Sequence, residues 1–142
     1  ETHVSIDEII KNWTLDHEQA RAFTIIAEHS MLDLPLQPLR MFMGGCGGTG
    51  KSRVINALTD FFGMRGQSRR LRLASYTGIA ARNISGVTLH TALSFDVKSN
   101  GKNSSVKKKG DLTAMWEGVD DLLIDEISMV GCKLLAQISE AL

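Results

Sequence analysis

The 142 residues carry 16 Lys+Arg against 16 Asp+Glu, a formal net charge of zero, with 43% hydrophobic and 23% charged residues. That balance excludes a disordered chain, and it excludes bulk electrostatic attraction for nucleic acid, so any such surface must come from uneven placement of charge. The length suits one domain with a real core, no apolar run approaches the roughly 18 residues of a membrane span, and the two cysteines, Cys46 and Cys132, lack the spacing of a disulfide framework or a zinc site.

Ser5-Ile6-Asp7-Glu8 has the spacing of a capping box and predicts a short helix ending near Asn12. Asp16, with Gln19 three residues on, opens a stronger one in which Ala20, Phe23, Ile26 and Ala27 keep helical spacing to about Ser30. Pro35 and Pro38 mark a connector, and Leu39 to Met43 reads as a short apolar strand running into a glycine loop. Gly45, Cys46, Gly47, Gly48, Thr49, Gly50, Lys51 and Ser52 match G-x-x-x-x-G-K-[ST], the phosphate-binding loop. A helix follows to near Gly63, with Val54, Ile55, Ala57, Leu58, Phe61 and Phe62 as its apolar face.

The residue types in that loop suit its chemistry. Glycines let successive backbone N–H groups converge on a phosphate without side chains intervening, and the helix behind them adds the positive end of its dipole. Lys51 then reaches the β- and γ-phosphates of a nucleotide, and the Ser52 hydroxyl stands one residue on as a ligand for Mg²⁺. The Cys46 side chain is not needed for phosphate contact, although a thiol beside a helix N-terminus gains reactivity.

Gly66-Gln67-Ser68 makes a turn, after which Leu71, Leu73 and Ala74 form a second buried strand, Thr77 to Ile84 a short helix and Leu89 to Phe95 another. Arg65, Arg69, Arg70 and Arg72 cluster before that strand, and Lys98, Lys102, Lys107, Lys108 and Lys109 crowd the polar stretch Asp96 to Asp111, expected as a mobile surface loop of solvated charge. Leu112, Met115 and Trp116 share one face of a short helix, where Trp116 reads as a core anchor in preference to a base-stacking platform. Asp120 to Asp125 follows as a third strand, apolar on both faces like a central parallel strand, and Ser128 to Leu142 as the last helix. Strands alternating with helices predict an α/β fold with a largely parallel sheet.

Leu122-Leu123-Ile124-Asp125-Glu126 supplies the second half of a nucleotide site, because a buried parallel strand delivers two carboxylates at its C-terminal edge, where such sheets bind ligands. Asp125 would hold Mg²⁺ together with Ser52, and Glu126 would orient and deprotonate the attacking water.

Leu15-Asp16-His17-Glu18-Gln19-Ala20-Arg21-Ala22-Phe23, Gly45 to Ser52, Tyr76-Thr77-Gly78-Ile79-Ala80-Ala81, Gly86-Val87-Thr88-Leu89-His90 and Leu123 to Met129 occur in the order found in PIF-type DNA helicases of superfamily one. The chain resembles that family over nearly its whole length, and most of all its fungal members, including those carried by Helitron-type transposons. The resemblance implies a P-loop NTPase fold of RecA type. It implies an N-terminal helical segment over residues 1–38 and the first RecA-like motor domain over residues 39–142, incomplete at its C-terminus, with residues 96–111 as a mobile loop. ATP and Mg²⁺ are the implied cofactors, with Lys51, Asp125 and Glu126 catalytic and Ser52 and Asp125 on the metal. Gln19 would contact the adenine, besides serving as the capping partner of Asp16. Thr77, Gly78, Thr88 and His90 would line the path of single-stranded DNA, although Thr77 suits a helix cap and His90 a packed or solvated histidine equally well. Tyr76 stands where relatives often carry a smaller residue or proline.

The implied activity is ATP-driven, 5′-to-3′ translocation on single-stranded DNA with unwinding of duplex junctions. Its setting would be DNA repair, recombination or telomere maintenance, in the nucleus or mitochondrion and away from any membrane. The alternatives are a non-catalytic nucleotide-binding remnant of such a helicase, or another P-loop ATPase or kinase. In the family pattern the glutamine that senses the γ-phosphate, the arginine fingers and the second RecA-like domain lie beyond Leu142. A start at Glu1 and an amphipathic pattern still running at Leu142 fit a piece of a longer chain.

Overall fold

A computed structural model of the chain describes residues 4–32, 37–44, 50–93, 113–127 and 130–141. Its contacts divide into two units, Glu1–Ser68 and Arg69–Leu142.

The first unit is helical: α1 (Ile6–Asn12), α2 (His17–Ser30) and α3 (Lys51–Met64). The start of α2 is fixed by the predicted reciprocal cap, in which the Gln19 N–H donates to Asp16 Oδ1 at 2.9 Å and the Asp16 N–H to Gln19 Oε1 at 3.0 Å. The similar pattern at Ser5 is not used, for Ser5 precedes α1 without a side-chain bond to it. Phe23 of α2 and Phe61 of α3 are fully buried and meet edge to face at 5.7 Å. Burial of each such ring is worth about 1.5–3 kcal/mol, enough to hold short helices that would be marginal alone. Ile9 of α1 is equally buried, and Trp13 Nε1 donates to Asp60 Oδ2 at 3.0 Å, so the segment ahead of α2 is fastened to α3. Gly66, at φ 67°, turns the chain after α3, with Gln67 N–H donating to the Phe62 carbonyl at 2.8 Å.

The strand expected over Leu39 to Met43 is not formed. Those residues are irregular, and Phe42 is 76% exposed. An apolar run becomes a strand only when a neighbouring edge takes its N–H and C=O groups.

The second unit holds a parallel sheet of order β2-β1-β3, built from β1 (Leu71–Ser75), β2 (Val87–Thr88) and β3 (Asp121–Asp125). Short α4 (Gly78–Asn83) joins β1 to β2, α5 (Leu89–Leu93) leaves β2 directly, one helical turn spans residues 113–116, and α6 (Cys132–Ala141) follows β3. The central strand is β1, whose Ala74 and Ser75 are fully buried. β3, expected in the middle, pairs only with β1 among the described residues and is half-buried along its length. The two-residue β2 was not anticipated. It enters through Gly86, where a Cβ would stand 2.5 Å from the Leu73 carbonyl oxygen.

Ala74, Leu89, Ala92, Leu93 and Ile138 form the core of this unit. Trp116 packs on it and donates Nε1–H to the Ala92 carbonyl at 2.7 Å, which makes it the core anchor predicted. The lysine-rich stretch over residues 96–111 lies outside the described residues.

Candidate functional site

In the first unit, Gly50 occupies the N-cap of α3 at φ 82°, ψ 17°, a left-handed conformation that glycine adopts without penalty. Lys51 and Ser52 open the helix behind it, and no acidic residue sits in that first turn to oppose an anion. Gly45, Cys46, Gly47, Gly48 and Thr49 lie outside the described residues. Gln19, which cannot be assigned one role from sequence, has two partners here, because while Oε1 serves the cap of α2, Nε2 donates to the Gly50 carbonyl at 3.2 Å. Arg53, two residues beyond Lys51, donates from Nε to the Trp13 carbonyl at 2.8 Å and from Nη2 to Thr14 Oγ1 at 3.1 Å.

The second unit gathers its candidates at the C-terminal edge of the sheet. Register places Ser75 beside Thr88 on one side and beside Asp125 on the other. Asp125 ends β3 half-buried, and Glu126 follows, exposed and at φ 58°. Non-glycine residues held left-handed cost about 1–3 kcal/mol and cluster where function requires them. Thr77 caps α4, its Oγ1 accepting the Ala80 N–H at 3.2 Å. Thr88 does the same for α5, accepting the Thr91 N–H at 3.3 Å while donating to Thr91 Oγ1 at 2.8 Å. The His90 ring meets Tyr76 edge to face at 5.7 Å, and Gly78 and Ile79 stand exposed beside them. Thr77, Gly78, Thr88 and His90 therefore share one edge with Asp125 and Glu126, and Tyr76 joins them as an aromatic that sequence gave no functional reason to choose.

The arginine cluster serves the protein itself. Arg69 donates from Nε to the Glu117 carbonyl at 2.9 Å and from Nη2 to the Ala114 carbonyl at 2.5 Å, Arg72 donates to the Met115 carbonyl, and Arg70 pairs with Asp120 at 2.6 Å. The Arg69 and Arg72 cations answer the negative end of the turn over residues 113–116. Burial, and then the neighbouring Arg69 charge, hold the Arg72 guanidinium below its ordinary pKa, and its cation lies 5.6 Å from the centre of the Trp116 ring. Arg65 lies over Phe61 at 5.2 Å. Among the described residues no cluster of three or more His, Cys, Asp or Glu could hold a metal, and no helix is long and apolar enough to cross a membrane.

A parallel α/β unit with acids at its sheet edge, in one chain with Gly-Lys-Ser at a helix start, defines an α/β protein of the P-loop class. Comparison with protein families matches residues 14–142 to the PIF1-like helicase, and the chain belongs to that family. It is 32% identical over 112 residues to the ATP-dependent DNA helicase PIF1 of Candida albicans, covering 74% of this chain and 12% of that one. Against the ATP-dependent DNA helicase RRM3 of Saccharomyces cerevisiae it is 34% identical over 107 residues, 70% of this chain and 14% of the other. An uncharacterized protein, 030L, of Invertebrate iridescent virus 6 is 27% identical over 138 residues, 94% of this chain and 24% of the viral one. The chain thus spans a quarter or less of each of these relatives. No solved structure matches it.

Proposed function

We propose that the chain is the first RecA-like motor domain of an ATP-dependent DNA helicase, which couples hydrolysis to translocation on single-stranded DNA and to unwinding at duplex junctions. The observation that carries this is the start of α3, where left-handed Gly50 leads into Lys51 and Ser52 inside a chain of the PIF1-like helicase family. Lys51 neutralises charge on the β- and γ-phosphates, as the loop lysine of this class does. Ser52 and Asp125 offer the hard oxygen donors that Mg²⁺ takes, and the ion when bound polarises the phosphates. Glu126 accepts the proton of the attacking water, and its exposure leaves the carboxylate open to one. Gln19 contacts the adenine. Thr77, Gly78, Thr88 and His90 line the DNA path, supported by their common edge beside Asp125. The same reading extends, on the family resemblance, to translocation in the 5′-to-3′ direction and to service in repair, recombination or telomere maintenance, in the nucleus or mitochondrion.

An arginine finger brought by another domain is worth about 10³ to 10⁵ in rate, so a single RecA-like domain binds nucleotide and turns it over slowly. The deciding experiment is ATPase activity with and without single-stranded DNA, on this chain and on a longer one that includes a second RecA-like domain. Stimulation in the longer chain only is expected. Stimulation in neither would refute the helicase assignment, and robust stimulation of these 142 residues alone would show that copies lend residues to one another.

A further inference from the structure

The Gln19 amide bridges two elements. Oε1 accepts the Asp16 N–H at 3.0 Å, and Nε2 donates to the Gly50 carbonyl at 3.2 Å. Gly50 has no side chain to block that approach, and a Cβ there would fall on Nε2 itself. One turn further along α3, Arg53 grips the Trp13 carbonyl and the Thr14 hydroxyl. The corner between α1 and α2 therefore holds the first turn of α3 at two points, one on either side of Lys51 and Ser52.

We propose that Gln19 is a positioning residue for the phosphate-binding groups of α3 as well as a reader of the base, so that it links base recognition to the setting of Gly50, Lys51 and Ser52. This rests on the nucleotide-site assignment. A primary amide has two N–H donors and an oxygen with two lone pairs. Among the described residues the protein takes one donor and one lone pair, and the remaining donor and lone pair match the acceptor N7 and donor N6 edge of adenine. The same planar group then touches the base and the carbonyl of Gly50. Loss of Gln19 should weaken binding of a polyphosphate that carries no base at all, which a base contact alone would never do.

The test is titration calorimetry of the 142-residue chain with MgATP, MgGTP and inorganic magnesium tripolyphosphate, for wild type, Gln19→Met and Asp16→Ala. Gln19→Met keeps the length and neutrality of the side chain and removes both of its hydrogen bonds. Asp16→Ala removes the other half of the cap and leaves the Gln19 contact with Gly50, so it controls for a looser helix start, and the thermal midpoint of each variant checks the fold. Gln19→Met should lose the preference for ATP over GTP and bind tripolyphosphate about three- to tenfold more weakly, the range of one hydrogen bond, with Asp16→Ala near wild type. Unchanged tripolyphosphate binding in Gln19→Met, or an equal loss in Asp16→Ala, would overturn the proposal. A wild-type chain that binds none of the three ligands would overturn the nucleotide site itself, and the proposal with it.

Discussion

The buried Ser75 hydroxyl donates to the backbone carbonyl of Asp125 at 3.1 Å, across the register position where β1 meets β3. The carboxylate proposed for the metal is thus carried on a peptide whose oxygen is held from the neighbouring strand. Ser75→Ala should cost about 1 kcal/mol, the net worth of one hydrogen bond, seen as a lower midpoint in urea. A stability equal to wild type would mean the bond is not made in solution.

Lys51→Ala should abolish tight MgATP binding, because it removes the cation that the start of α3 contributes to the phosphates. Titration calorimetry checks this, and unchanged affinity would place the nucleotide elsewhere.

Glu126 permits a paired test. Glu126→Gln should keep nucleotide binding and remove hydrolysis in the longer chain, since an amide cannot take the proton of water. Glu126→Gly should be equally inactive yet more stable, by up to about 1 kcal/mol, because glycine adopts φ 58° without strain. Single-turnover hydrolysis and thermal unfolding read the two effects, and a near-normal rate in Glu126→Gln would reassign the base.

Gly86→Ala should destabilise the second unit by about 1–3 kcal/mol, as overpacking against rigid backbone does. The new methyl meets the Leu73 carbonyl, and β2 has only two residues with which to absorb the shift. Circular dichroism during heating measures it, and an unchanged midpoint would show that β2 is loosely held.

What could be read in the sequence was what depends on neighbours along the chain. Asp16 and Gln19 announce the start of α2 because a capping box spans only four consecutive residues, and the apolar spacing of Val54 to Phe62 gives α3 for the same local reason. Asp125 and Glu126 were legible as a pair of acids ending an apolar run. Pairing across the fold was not legible. Leu39 to Met43 looked like a strand by composition, yet a ladder needs a partner edge, and β3 looked central although β1 holds that place. The sequence shows the arginines only as a cluster, and the carbonyls of Ala114, Met115 and Glu117 show what Arg69 and Arg72 serve. Nothing local marks the contact of Gln19 with Gly50, which lies 31 residues away in sequence.

The match to the family begins at residue 14, and α1 ends before it. Yet Ile9 is wholly buried, Trp13 donates to Asp60, and the Trp13 carbonyl receives Arg53 beside the proposed phosphate site. The recognisable segment and the residues that pack against α3 therefore do not begin at the same place. A chain trimmed to the matched residues would keep every motif and still strip α3 of the cover that Ile9 and Trp13 give it, so the support of this helix reaches ahead of the segment by which the family is recognised.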